Sequence, residues 1–160
     1  MITAIREHGA TRVIALVSGD APQTGQKGSY TKLDEIAKSS GLGREAFEEL
    51  RVPADDLGEI FRRCVSCLES VPDTALIEYS GGTKLMSSGV VLAASVLPEK
   101  VERLPVVGGP RRDLVKVTMG SETQNASLEP VRDRHRSALA TAHLDRFTYA
   151  SAVTALKRDG

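Results

Sequence analysis

Residues 81–84, GGTK, combine near the middle of the chain the groups that bind an anion. The two glycines lack the Cβ atoms that hinder positive φ angles and close approach of a ligand to the backbone. Thr83 adds a hydroxyl and Lys84 an ammonium. The turn lies between a predicted strand at 75–79 and a predicted helix at 85–97, so the amides of the helix N-terminus add partial positive charge. The sequence therefore predicts a phosphate-binding turn.

The spacing of this turn narrows the class of ligand. It fits neither G-x-x-x-x-G-K-[ST] nor G-x-G-x-x-G, so a metal-free phosphodiester suits it better than a triphosphate with magnesium. One alternative stays open, in which the glycines only make a strand-to-helix turn and Lys84 is solvated.

The elements around the turn alternate between helix and strand. This alternation predicts an α/β, Rossmann-like fold with a mostly parallel sheet, helices on both faces, a β-hairpin at one edge and a C-terminal helical segment. The segment 47–53, FEELRVP, is ambiguous between a helix end and a strand. The other predicted elements are a helix at 2–8 that stops at Gly9, an interior strand at Val13 to Val17, a helix through Leu33, Ile36 and Ala37 that ends near Gly41, a helix with Asp55 and Asp56 at its N-terminus that runs on through 59–71, the strand at 75–79, the helix at 85–97 and helices within 130–160.

The region after the central helix predicts a hairpin and then a domain boundary. In VERLPVVGGPRRDLVKVTMG, the segment GGPRRD supplies turn residues, and LVKVTM alternates as an edge strand does. We expect residues 1–129 to form the α/β domain and residues 130–160 a helical appendage.

The helix predicted at 85–97 has no charged face. Its small residues permit close approach of another backbone. A helix that is apolar all round must be covered on every side. Either a second subunit or a second layer of the same chain would cover it. We favour the second subunit and therefore expect a homodimer through this helix.

Cys64 and Cys67 form a C-x-x-C, but a second pair of metal ligands is absent from the sequence. Both cysteines recur at helical spacing with Ile60, Leu68 and Val71, which indicates a buried helix stripe. We expect them to be core residues and expect no metal site.

The charge balance and the lack of long apolar runs limit the kinds of partner that the chain can have. The 21 basic residues balance the 21 acidic ones, which predicts no general attraction to duplex nucleic acid or to a membrane. The chain shows neither a signal peptide nor an apolar run of membrane-spanning length. These features predict a cytoplasmic protein.

The segment YSGGTKLMSSGVVLAA resembles the signature of CARF domains, the CRISPR-associated Rossmann-fold domains of type III antiviral systems, and in particular their GGTK type. VVGGPRRDLVKVTMGSE is similar to a strand hairpin found downstream of GGTK in some of these proteins. The family's fold normally opens with a strand before the first helix. The resemblance therefore implies that this strand is absent from the 160 residues.

The resemblance also implies a function. We expect a homodimeric sensor that holds one cyclic oligoadenylate, with cyclic tetra-adenylate favoured, that needs no cofactor and that acts with a separate effector domain or chain. The implied ligand-binding residues are Ser18, Gly19, Ser80, Gly81, Gly82, Thr83, Lys84 and Met86.

Two other functions stay open. Some relatives are ring nucleases, in which a ribose 2′-hydroxyl attacks the adjacent phosphate without metal. In such a reaction Lys84 would stabilise the developing charge and Ser18 would position the ligand. The second possibility is an unrelated Rossmann-like nucleotide-binding protein.

Overall fold

A computed structural model of the chain describes residues 1–20, 25–107, 111–112, 116–117 and 123–157, with the side chains of 106–126 left out. The chain forms two compact units, Met1–Ala126 and Ser127–Gly160.

The first unit alternates helices and strands along most of its length. Short 3-10 turns stand at Ser29–Lys32, Arg44–Ala46 and Pro98–Lys100. The elements are α1 (Ile2–Glu7), β1 (Val13–Ser18), α2 (Leu33–Ser40), β2 (Phe47–Val52), α3 (Leu57–Ser70), β3 (Ala75–Leu76), α4 (Lys84–Val96), β4 (Val101–Val107), β5 (Arg111–Arg112), β6 (Lys116–Val117) and β7 (Thr123–Ala126).

Strand pairing is parallel in the first half of the unit and mixed in the second. β1 runs parallel to β2, with Ser18 opposite Val52, and β3 runs parallel to β4. β4 also pairs with β7 in antiparallel fashion, and β5 with β6. The predicted α/β, Rossmann-like fold is confirmed.

Two details of the sequence prediction are corrected. The partner of β4 is β7 rather than LVKVTM, because Arg111 and Arg112 pair with Lys116 and Val117 in a separate small hairpin. The rest of the predicted turn and strand, at 108–110, 113–115 and 118–119, lies outside the described residues. The strand expected at 75–79 ends at Leu76, after a shift in register against β4.

Local signals explain most of the remaining boundaries. α1 stops before Gly9 and α2 before Gly41, and both glycines have the left-handed φ that ends a helix. The ambiguous segment at 47–53 is a strand, because Phe47 pairs with Val13 across β1 and its side chain is buried.

Two groups of buried side chains hold the first unit together. One lies under α1 and α2 and contains Ile5, Ala15, Val17, Leu33, Ala37 and Phe47. The other joins α3 and α4, where Ile60 is fully buried. A Cβ on Gly89 would lie 2.4 Å from Cγ2 of Ile60, so only glycine lets these helices approach so closely.

The cysteines lie on α3. Ile60, Cys64 and Leu68 are its buried residues, which confirms that part of the predicted stripe. Cys67 and Val71, which were also expected in the core, are only half-buried. Burial raises the pKa of the Cys64 thiol to about 11, which disfavours the reactive thiolate. In the described ranges, no three His, Cys, Asp or Glu side chains are placed to hold a metal ion.

The second unit is a helical hairpin of α5 (Glu129–Asp145) and α6 (Tyr149–Leu156). Ala140 and Ala152 are its buried residues. Thr148 fixes the turn by donating a hydrogen bond of 2.9 Å from its hydroxyl to the carbonyl of His143. The helices predicted within 130–160 are confirmed. Within the ranges that the structure describes, no helix has the length and hydropathy needed to span a bilayer.

Candidate anion-binding loop after the third strand

The GGTK loop, defined as Ser80 to Lys84, follows β3 and leads into α4. Thr83 is the N-cap of α4, and its hydroxyl accepts a 3.2 Å hydrogen bond from the amide of Met86. The same hydroxyl donates to the carbonyl of Ala54, 3.1 Å away. Ser87 donates from its hydroxyl to the carbonyl of Gly81 at 3.0 Å. The loop is therefore fixed by contacts on both sides of Gly82.

The amides in the middle of this loop are not bonded to any part of the chain that the structure describes. Among the described residues, no hydrogen bond runs from the N–H groups of Gly81, Gly82 or Thr83. All three residues are exposed. Unpaired amides before a helix N-terminus form a site for an anion, because the helix dipole adds positive potential there.

Lys84 is the first residue of α4 and is exposed. No carboxylate in the described part of the chain lies within ion-pair distance of its ammonium. The cation is therefore available to a ligand at the helix N-terminus.

Gly82 and Met86 shape the loop from two sides. Gly82 has a φ of +87°, a left-handed conformation that side-chain-bearing residues rarely adopt. Met86 is buried, and its side chain lies 3.5–3.7 Å from the place where a Cβ on Gly82 would stand. Met86 thus packs beneath the loop.

Glu78 lies behind the loop, two residues after β3. Its side chain is 10% exposed, and its carboxylate accepts a hydrogen bond of 2.7 Å from the amide of Ser80 and another from the Ser80 hydroxyl. The amino group of Met1 is 2.9 Å from the same carboxylate. Burial disfavours ionisation, but the bonds from Ser80 and the amino group of Met1 outweigh it and lower the pKa of Glu78.

The Ser18 loop, defined as the described residues 18–20 and 25–29, follows β1, and several of its polar groups bond one another. The amide of Ser18 donates to the Ser29 hydroxyl at 2.8 Å, and the amide of Ser29 donates to the Ser18 hydroxyl at 3.1 Å. The carboxylate of Asp20 accepts from the amide of Gly28 at 2.8 Å. That bond is the main reason why the pKa of Asp20 is lowered. Gly19 is exposed, with open space around it.

The two loops are connected through β2. Ser18 is opposite Val52, the last residue of β2, and two residues further on the carbonyl of Ala54 receives the Thr83 hydroxyl. Both loops therefore leave the carboxyl edge of parallel strands, where ligands of open α/β sheets bind.

Small residues of α4 pack against another helix of the same chain. The sequence favoured a subunit contact for this helix and left packing within the chain as the alternative. Gly89, Ala93 and Ala94 are buried, and Gly89 contacts α3. Larger apolar side chains beside this contact are exposed, at 46% for Leu92 and 48% for Val96. With Leu85 they form a stripe at spacings of seven and four residues along one side of α4.

Sequence reasoning missed three residues that shape these loops: Glu78, Ser29 and the carbonyl of Ala54. A signal existed for Glu78, because it is the only charged residue in the apolar run ALIEY. The others had none, since their partners lie 11 and 29 positions away in the chain.

Fold and loops together define an α/β, Rossmann-like protein in which the GGTK loop follows the carboxyl end of a parallel strand. No family model and no curated relative matches the chain. Among solved structures, the chain is similar to Enterococcus italicus Csm6 bound to cyclic hexa-2′-fluoro-hexa-dAMP, with a TM-score of 0.64 and 15% sequence identity. The match covers 97% of this chain and 43% of the Csm6 chain. This likeness supports the CARF-like fold implied by the sequence resemblance, and this chain spans less than half of the Csm6 chain.

Proposed function

We propose that the chain binds a cyclic oligoadenylate at the GGTK loop, as the sensor or regulatory module of a type III CRISPR antiviral system. The observation that carries this proposal is that the amides of Gly81, Gly82 and Thr83 and the neighbouring ammonium of Lys84 have no partner among the residues that the structure describes. A phosphodiester supplies the acceptors and the charge that these groups lack. The similar fold of a Csm6 chain bound to a cyclic oligoadenylate analogue supports the choice of ligand class.

Each loop has its own part in this proposal. The GGTK loop holds the phosphates, and Met86 supports it from below. Ser18 and Gly19 form the opposite side of the site. Ser18 acts there by its position, because its amide and hydroxyl already bond Ser29. The ligand needs no cofactor in this arrangement, and a separate effector domain or chain responds to it.

Calorimetric titration of the purified chain with cyclic tetra-adenylate, cyclic hexa-adenylate and linear tetra-adenylate tests the proposal. We expect tight binding of a ring, with the tetra-adenylate preferred, and weak binding of the linear molecule. Lys84→Ala should weaken ring binding by about tenfold to a hundredfold, since a hydrogen bond to a charged group contributes about 1.5–3 kcal/mol. Absence of binding to both rings would refute the sensor.

Lys38→Ala is the matched control for Lys84→Ala. Lys38 is also exposed, and the described part of the chain places no carboxylate at ion-pair distance from it. It lies in the last turn of α2, which is at the amino edge of the sheet because α2 runs back from the carboxyl end of β1. We expect unchanged ring affinity in this variant.

The ring nuclease is the second candidate, because an unpaired Lys84 at a phosphate site is also placed to stabilise charge on a pentacoordinate phosphate. Chromatography of the same mixtures after prolonged incubation separates the two functions. Intact ring supports the sensor, whereas linear products with 2′,3′-cyclic ends that Lys84→Ala abolishes would assign cleavage to this site.

We further propose a homodimer through the exposed stripe Leu85, Leu92 and Val96 of α4. Apolar stripes of this kind on a helix commonly mark contacts between subunits. Analytical ultracentrifugation should show a dimer that Leu92→Glu converts to a monomer. Ser66→Glu, which alters an exposed residue of α3, should leave the dimer intact. A monomeric unaltered protein would contradict this interface.

A further inference from the structure

We propose that Glu78 is a positioning residue that holds the GGTK loop in its ligand-binding conformation, an inference that rests on the proposed function of that loop. The carboxylate receives both the amide and the hydroxyl of Ser80, the first residue of the loop. Because Ser80 directly precedes the two glycines, its position determines the positions of the amides of Gly81 and Gly82.

The charge of Glu78 argues for a positional role. A carboxylate behind an anion site repels a phosphate, and the repulsion is stronger in a partly buried position than in water. Burying a carboxylate also costs free energy unless hydrogen bonds compensate. Glu78 is 10% exposed and stands three residues before Gly81, the first residue whose amide has no acceptor among the described residues. Its bonds to Ser80 therefore fix the position of the first residue of the loop. The negative charge of the same carboxylate weakens the attraction of the loop for an anionic ligand.

The rest of the loop shows why this starting point matters. Beyond Ser80, the carbonyl of Gly81 is held by Ser87 and the hydroxyl of Thr83 by Ala54. Gly81 and Gly82 contribute no side chains of their own, and Met86 packs against the loop at Gly82. With the Glu78 contact removed, the amide and the hydroxyl of Ser80 lose the bonds that hold them to that carboxylate, which weakens the restraint at the start of the loop.

Three variants separate the positional role from a general loss of stability. Glu78→Met preserves the length of the side chain and removes the acceptor, whereas Glu78→Gln preserves both length and an acceptor oxygen. Glu49→Met is the control, because Glu49 is a 22% exposed carboxylate on β2 that pairs with Arg44 and Arg51 away from the loop. Should Glu78→Met fail to fold, Glu78→Ala replaces it.

The first measurement uses the ligand-free protein. Nuclear magnetic resonance relaxation should give order parameters of about 0.85 for the amides of Gly81 and Gly82 in the unaltered chain and below about 0.6 in Glu78→Met. Glu78→Gln and Glu49→Met should retain the high values. Equal order parameters in Glu78→Met and the unaltered chain would overturn the positional role, whether or not any ring binds.

The second measurement is affinity for the ring that the unaltered chain binds. We expect Glu78→Met to weaken binding about tenfold, Glu78→Gln to restore it to within threefold, and Glu49→Met to leave it unchanged. Unchanged affinity in Glu78→Met would also overturn the inference. If the unaltered chain binds no ring, the proposed function fails, and the order parameters alone decide whether Glu78 fixes the loop.

Discussion

The GGTK loop and the Ser18 loop both follow parallel strands, yet they use their polar groups in opposite ways. In the Ser18 loop, Ser18 and Ser29 satisfy each other, and Asp20 accepts the amide of Gly28. In the GGTK loop, the protein contacts fall on either side of Gly82, and the residues that the structure describes offer no acceptor to the amides of Gly81, Gly82 and Thr83. Polar groups that pair within a loop stabilise the fold, whereas amides without a protein acceptor can bind an anion, as we propose for the GGTK loop.

The glycines of the two loops are required for different reasons, and two of them are required neither by space nor by their backbone angle. Gly28 is required by space, because a Cβ there would lie 2.2 Å from the carbonyl oxygen of Ser18. Gly82 is required by its φ of +87°. Gly81 and Gly19 have open space and no such angle. Substitution of each glycine therefore tests a different part of the comparison.

The largest expected effect is that of Gly28→Ala. The added methyl group would overlap backbone atoms that cannot move without opening the Ser18 loop, so the free energy of unfolding should fall by about 3 kcal/mol. Gly81→Ala, with nothing within 4 Å of the new Cβ, should change it by less than about 0.5 kcal/mol. Urea denaturation measures both. A similar loss in the two variants would remove the distinction between the loops.

Gly82→Ala should have the next largest effect. The left-handed conformation costs a residue with a side chain about 1–2 kcal/mol, and relief of that strain would displace the neighbouring amides. We expect lower thermal stability together with weaker ring binding. Gly41→Ala is the control, because Gly41 at the end of α2 also has a left-handed φ, of +83°, but is not among the ligand-binding residues. It should lower thermal stability and leave ring binding unchanged.

Ser18→Ala should affect stability more clearly than binding. It removes the hydroxyl that accepts from the amide of Ser29, which should cost about 1 kcal/mol of unfolding free energy. Ring affinity should fall by less than threefold, compared with at least tenfold for Lys84→Ala. The double variant Ser18→Ala/Ser29→Ala should cost less than the sum of the single changes, because the two residues share their bonds. A tenfold loss of affinity in Ser18→Ala would instead assign its hydroxyl to the ligand.

The smallest effect is in the pH dependence of stability. The folded-state pKa values of Glu78 and Asp20 lie below the usual 4.5 and 3.8. Their stabilisation is therefore complete above those values and is lost as the pH falls through the folded-state pKa of each group. Glu78→Gln should flatten the acid limb of the stability curve. Asp20→Asn should flatten it less, because Asp20 is exposed and solvent screens its interactions. Equal flattening in both variants would contradict this order.

Local patterns predicted much of this fold. The helical spacing of apolar residues predicted α3, with Ile60, Cys64 and Leu68 on its buried side. Gly9 and Gly41 predicted where α1 and α2 end. The pairing of β4 was predicted wrongly, because a glycine-rich turn followed by an alternating segment satisfies the hairpin pattern without showing which strand is the partner. The strand at 75–79 was predicted too long for a related reason, since a shift in register against β4 depends on the other strand.

The sequence by itself determined that a strand, a glycine turn with one lysine and a helix follow one another at residues 75–96, because the signals for these elements lie within a few residues of each other. Only the tertiary structure decided what the turn does with its polar groups. Thr83 is bonded to Ala54, 29 positions earlier, and Ser18 to Ser29, 11 positions later. Such bonds depend on which strands pair and in what register, and they determine which amides remain free for a ligand.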